Sequence, residues 1–196
     1  MVGFLEITYG PMFAGKTSHL IDKIYNFITF NQIHKNKNPK ILIINSLEDS
    51  RNLNKIKNLT THNTYKKDVF PSYVENVSVD RLDSLKEDYL EKYNYIAIDE
   101  AQFFVDLDTF VEKYLAKDKY IHCCGLVADS DKKIFGKLNS LIPLADEVTQ
   151  LKAFCVYCRY WYKNAVFTKW VGEESKKNTI EIGGKGKYVS VCGKHY

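Results

Sequence analysis

The stretch Gly10-Pro11-Met12-Phe13-Ala14-Gly15-Lys16-Thr17 constrains this chain more than any other. It reads G-x-x-x-x-G-K-[ST], a phosphate-binding P-loop. The spacing has a physical reason. Glycines at both ends let the backbone curl until successive N–H groups point inward at phosphate oxygens. Lys16 reaches the β- and γ-phosphates, and Thr17 offers a hydroxyl to Mg²⁺. A helix starting at the loop turns its positive end toward the anion. The flanks agree. Phe4 to Tyr9 reads as a strand, and Lys16 to about Phe30 carries Leu20, Ile21, Ile24, Phe27 and Ile28 on one helical face. The bland alternative is a glycine-containing turn with no ligand.

Further down, Lys40 to Asn45 is a short apolar run, expected as a buried parallel strand. Residues 46–68 are polar and read as a long loop, in which Arg51 either leans on phosphates or lies on the surface. Arg81 to Lys92 reads as a surface helix with Leu82, Leu85, Tyr89 and Leu90 facing in. Tyr93 to Ile98 is a strand that ends in Asp99-Glu100, where a P-loop protein keeps its metal-side carboxylate. Asp106 to Ala116 looks helical, and Tyr120 to Val127 reads as another buried strand. Within it Cys123 and Cys124 point to opposite faces, as structural thiols, and His122 is a core histidine. Strands alternating with helices give an α/β fold with a P-loop NTPase-like parallel sheet, its ligand at the carboxyl ends of the strands.

With 196 residues the chain makes one ordinary domain, or one plus a small satellite. Composition shifts after Gln150, which divides it into an α/β ATP-binding unit (1–150) and a second unit (151–196). The net charge of +4 suits an anionic ligand and does not call for nucleic acid. No apolar run approaches the ~18 residues of a membrane helix, and no secretory leader is visible. A cytoplasmic protein with no membrane partner is expected. Five cysteines in such a chain point to thiols or metal rather than disulfides.

The second unit has its own constellation. Cys155 and Cys158 form a C-x₂-C, and Cys192 and His195 form a C-x₂-H. Two such knuckles complete a tetrahedral Cys₃His site for structural Zn²⁺, with a hairpin or long loop between them. A redox C-x₂-C is the rival, but it gives Cys192 and His195 nothing to do.

With these residues together, the chain resembles the type II thymidine kinases, the cytosolic and viral family. The resemblance rests on the Pro-Met-Phe inside the P-loop, Asp49-Ser50-Arg51, and Asp99-Glu100-Ala101-Gln102-Phe103-Phe104. It continues in Phe135-Gly136, Leu141 to Ala145, Ile182-Gly183-Gly184, Tyr188 and the closing Cys192-x-x-His195-Tyr196. It implies transfer of the ATP γ-phosphoryl to the 5′-hydroxyl of thymidine, in nucleotide salvage for DNA synthesis. Glu100 is then the general base, and Thr17 and Asp99 hold Mg²⁺. Gly10 to Thr17, Asp49, Ser50, Arg51, Asp99 and Gln102 serve the nucleotide. The resemblance also implies that the zinc unit carries a lasso loop. Backbone groups of Thr179, Ile180, Glu181, Ile182 and Gly183 then bind the thymine edge, with Met12, Phe103, Leu126 and Tyr188 around the base. Further implications are a homotetramer, feedback inhibition by thymidine triphosphate, and, with the chain stopping at Tyr196, no regulatory tail. One departure stands out. Counting back from Phe135, Ser130 holds the place of a pocket aromatic, so the wall there differs, or the loop is re-registered and Ser130 faces solvent.

Two other readings compete. In one, a P-loop ATPase carries a zinc ribbon that grips nucleic acid through lysines and aromatics of residues 152–170, with Glu100 activating water. In the other, the chain binds ATP without catalysis, which conflicts with the presence of Glu100.

Overall fold

Four apolar runs form the middle of the sheet, because only strands covered on both sides read as continuous apolar sequence. The computed structural model describes residues 3–34, 39–48, 70–172 and 187–196. In chain order the main elements are β1 (Phe4–Tyr9), α1 (Lys16–Ile33), β2 (Ile41–Ser46), β3 (Val74–Val79), α2 (Glu87–Glu91), β4 (Tyr95–Ile98), α3 (Leu107–Leu115), β5 (Tyr120–Gly125), α4 (Leu138–Leu141), β6 (Glu147–Gln150), β7 (Phe167–Trp170) and β8 (Tyr188–Val191). The first six strands make one sheet, ordered β3-β2-β4-β5-β1-β6, and each neighbouring pair is parallel. The β7–β8 pair is a separate antiparallel ribbon.

Strand alternation sorts side chains onto two cores. Ile41, Ile43, Tyr95, Ala97 and Cys124 pack with Leu20, Ile21, Ile24 and Ile28 of α1. Leu42, Ile44, Ile96, Ile98 and Cys123 pack on the other face with Leu107, Phe110 and Val111 of α3. Cys123 and Cys124 therefore lie on opposite faces, both fully buried, as the sequence suggested. Each fully buried Leu or Ile contributes roughly 1.5–3 kcal/mol. The face expected for α1 is the one it buries, with Phe27 partly covered.

Two strands and one helix differ from the sequence reading. β3 and β6 were not visible as apolar runs. Both are sheet edges, and their exposed sides accept polar residues. The helix expected over 81–92 is broken into a 3₁₀ turn, Leu82–Ser84, and the short α2. Leu85 and Lys86 are extended between them, and the Asp83 N–H donates to the carboxylate of Asp106. Leu82 and Leu90 still reach the core, so burial sets the backbone path and periodicity alone misjudges it.

A buried polar network ties the sheet to α1. The carboxylate of Glu6 accepts from Tyr120 Oη (2.6 Å) and pairs with Lys23 (2.7 Å), which also bridges to Glu147 on β6 (2.9 Å). His122 is fully buried and hydrogen-bonded to Thr8 Oγ1 (2.8 Å) and Tyr95 Oη (3.0 Å), a satisfied core histidine.

Candidate active site and metal centre

The carboxyl ends of β1 and β4 set the site. The loop after β1 closes with Gly15 at φ +90, and no atom lies within 4 Å of where its Cβ would sit. Glycine is needed there for backbone conformation, not for room. α1 starts immediately afterwards, with no side-chain cap. Lys16 folds back over the loop, and its Nζ donates to the carbonyls of Gly10 and Pro11, each at 3.1 Å.

Asp99 ends β4 and is buried. It accepts from Thr17 Oγ1 (2.9 Å) and from the Glu100 N–H (3.0 Å). Burial, and then the charge of Glu100, push its carboxyl up to about 6, against the stabilising Thr17 and Glu100 donors. Glu100 itself is left-handed, with φ 51, a conformation unusual for a side chain of its size. The backbone turns there into the 3₁₀ turn Ala101–Phe103.

Gln102 is a strut. Its Oε1 accepts from the Leu126 N–H (2.8 Å), so its amide nitrogen faces the other way and donates to Glu100 Oε2 (2.7 Å). Gly125 makes this possible, because a Cβ there would lie 2.4 Å from Gln102 Oε1. Lys16, Thr17, Asp99, Glu100 and Gln102 thus meet at one end of the sheet.

The other sequence candidates are more scattered. A cleft between the loop of residues 10–15 and the ribbon is lined by Tyr9, Gly10, Pro11, Leu126, Ala128 and Thr168, among others. Phe103 packs edge-on against Phe135, with centroids 5.6 Å apart, and Tyr188 packs against Trp170 at 4.9 Å. Neither lines that cleft, nor does Met12. Ser130 is buried, and its carbonyl accepts from the hydroxyl of Tyr196 (2.7 Å). The solvent-facing alternative is therefore not the one adopted. Asp49, Ser50, Arg51 and Thr179 to Gly183 lie outside the described residues.

Cys155, Cys158, Cys192 and His195 form the one metal-competent cluster among the described residues, with ligand atoms all within 4.8 Å of one another. Cys158 and Cys192 sulfurs are 3.7 Å apart. His195 Nδ1 lies 3.5, 3.4 and 3.3 Å from the sulfurs of Cys155, Cys158 and Cys192. A tetrahedral zinc site has S···S edges of about 3.8 Å and S···N edges of about 3.5 Å, from its bond lengths. The cluster fits. Burial opposes ionisation of Cys155, yet backbone amides of Cys192, Tyr157 and Cys158 bring its thiol down to about 6, toward the thiolate a metal takes. Asn164 donates to the Cys158 sulfur, and Lys169 pins the carbonyls of His195 and Tyr196.

Residues 3–196 match the family model for thymidine kinase. The chain belongs to the thymidine kinase family. It is similar to the thymidine kinase of Rabbit fibroma virus (strain Kasza), with 36% identity over 99% of this chain and 96% of that protein. It is 34% identical to the thymidine kinase of Amsacta moorei entomopoxvirus, over 96% of this chain and 94% of the relative. The cytosolic thymidine kinase of Cricetulus griseus is 32% identical over 97% of this chain and 71% of its own length. As a family member the chain is a kinase. No helix among the described residues is long and apolar enough to cross a membrane.

Sequence reading missed what the ribbon does for this kinase. The Met12 N–H donates to Thr168 Oγ1 (3.0 Å), and Ser190 Oγ donates to the Met12 carbonyl (2.7 Å). Single hydroxyls on short strands belong to no motif, and only their inward register in the ribbon marks them.

Proposed function

We propose that this kinase transfers the γ-phosphoryl group of ATP to the 5′-hydroxyl of thymidine. The carrying observation is one carboxylate, Glu100, braced by Gln102 beside the Thr17–Asp99 pair at the mouth of a P-loop. Thymidine comes from the names of the relatives, and ATP from the loop's fit to phosphates.

Lys16 and the loop amides hold the β- and γ-phosphates. Thr17 and Asp99 would hold Mg²⁺. Their donor set is right for it: two oxygens in contact, one on a buried carboxylate whose charge a cation would relieve. Mg²⁺, when bound, offsets charge on the phosphate oxygens. Glu100 takes the proton of the 5′-hydroxyl as that oxygen attacks in line. Because the transfer is mostly positioning, a carboxylate of ordinary basicity suffices. Asp49, Ser50 and Arg51 complete the nucleotide side. Met12, Phe103, Leu126, Ser130 and Tyr188 surround the base, and Thr179, Ile180, Glu181, Ile182 and Gly183 read its edge.

The wider reading follows the family: residues 1–150 bind nucleotide, 151–196 hold structural zinc and the lasso, and the protein is a cytoplasmic homotetramer serving DNA precursor synthesis. Thymidine triphosphate is its feedback inhibitor, and neither nucleic acid nor membrane is a partner.

Steady-state turnover with thymidine and ATP tests the core of this. Glu100→Gln is expected to keep ATP binding and lose ~10²–10⁴-fold in kcat. Near wild-type turnover in that variant would remove Glu100 as base.

A further inference from the structure

The wall behind the phosphate loop is the zinc unit, and the contact is specific. Met12 lies within the loop, and its N–H and its C=O are both taken by side chains of the ribbon. Thr168 on β7 accepts from the N–H at 3.0 Å, and Ser190 on β8 donates to the C=O at 2.7 Å. These two residues face each other directly in the β7–β8 register, so both hydroxyls leave the same side of the ribbon. Both residues are buried. The rest of the loop backs onto the same unit. A Cβ on Gly10 would lie 2.5 Å from the carbonyl oxygen of Leu151, and Ala14 packs with Ala153, Cys155, Ala165 and Val191.

We infer that Thr168 and Ser190 are positioning residues for phosphate binding, acting through the main chain of Met12. A hydrogen bond weakens steeply with angle, so an amide cradle works only while its peptide planes stay oriented. The plane on either side of Met12 is fixed from outside the loop. The residue that follows, Phe13, is left-handed with φ 63, and Gly15 is left-handed as well. A non-glycine residue in that region, as Phe13 is, keeps its conformation only where its surroundings over-determine it. The ribbon supplies that constraint, and the Cys₃His cluster at its end holds the ribbon. Nucleotide affinity is in this way coupled to the folding of the C-terminal unit.

The inference rests on reading Gly10–Thr17 as the nucleotide site, and the experiment separates the two. ATP binding to the full-length protein is measured by calorimetry, alongside kcat, both KM values and thermal melting. The variants are Thr168→Val, Ser190→Ala, their double, and the hydroxyl-keeping pair Thr168→Ser and Ser190→Thr. Losing both bonds is expected to raise the ATP Kd and the KM for ATP by about tenfold or more, each single variant contributing part. The change in kcat stays within about threefold, since the reacting groups are untouched. Thr168→Ser and Ser190→Thr bind ATP within about twofold of wild type. A purely structural role would lower the melting temperature and the active fraction and leave Kd alone. That pattern, or equal damage from the hydroxyl-keeping pair, overturns the inference. If the double variant does not fold, the near-isosteric Thr168→Val decides. Wild-type protein that binds no ATP would overturn the nucleotide reading itself.

Discussion

Replacing Gln102 with Met tests whether the strut serves the chemistry. Methionine has similar volume and makes neither hydrogen bond, so packing against Gly125 is largely kept. Two effects follow. The half-buried Leu126 N–H loses its acceptor, at a cost of up to ~1–3 kcal/mol. In a chain of this size that lowers the melting temperature by roughly 2–12 °C. Glu100 loses the amide that holds its Oε2 at 2.7 Å. Its two sp³ side-chain torsions then have up to about nine staggered combinations open to them, so the reactive placement becomes up to about tenfold rarer. A displacement of about 1 Å would deepen the loss toward ~10²-fold. The expected result is kcat down by ~10–100-fold, with KM for ATP within about twofold because Gln102 hydrogen-bonds to Glu100 and Leu126 rather than to the phosphate loop. Gln102→Glu is the sharper companion. It keeps an acceptor for Leu126 but sets a second carboxylate against Glu100, and kcat falls further. Turnover of Gln102→Met within about twofold of wild type, or a loss confined to the KM for ATP, would refute the strut.

Two further outcomes are expected. Purified protein carries one tightly held Zn²⁺ per chain, and Cys158→Ser loses it; metal analysis that finds zinc fully retained in that variant would count against the site. Burial, then the charges of His19 and Lys23, hold the His122 imidazole down to about 3, below its ordinary 6.5. The unfolded chain therefore takes up this proton first, so the stability present above pH 6.5 drains as pH falls, by about 2 kcal/mol at pH 5. Denaturant titrations of wild type and His122→Gln at the two pH values measure it, and equal pH dependence in both would sink the assignment.

What was legible in the sequence was whatever chemistry fixes by spacing or burial fixes by composition. Gly10 to Thr17, Asp99-Glu100 and the two cysteine knuckles stand at separations that a phosphate or a metal demands. The structure brings each set together. The central strands were legible because they are covered on both faces; Ile41, Leu42, Ile43 and Ile44 are all fully buried. The edge strands β3 and β6 were not, since Val74-Glu75-Asn76-Val77-Ser78-Val79 and Glu147-Val148-Thr149-Gln150 alternate or stay polar toward water. The break at Leu85 was hidden for a related reason. Leu82 and Leu90 satisfy a helical period and are equally well buried by an interrupted path that lets Asp106 cap Asp83.

The Pro-Met-Phe within the loop was readable only as a signature, and its physical sense lies in contacts 156 and 178 residues away. Pro11 has no N–H to compete inside the loop, and its carbonyl accepts from Lys16 and from the Ala14 N–H. Phe13 carries the left-handed turn. Between a residue with a fixed φ and one held in an uncommon conformation, Met12 is where an external grip constrains both neighbouring peptide planes at once. Thr168 and Ser190 supply the grip, one accepting and one donating, matched to the single N–H and single C=O of one residue. A side chain at position 12 remains free to vary in shape without disturbing that grip, because only its main chain is used. The ribbon thus holds the loop of residues 10–17 through the backbone, and a sequence read by side chains alone cannot display that link.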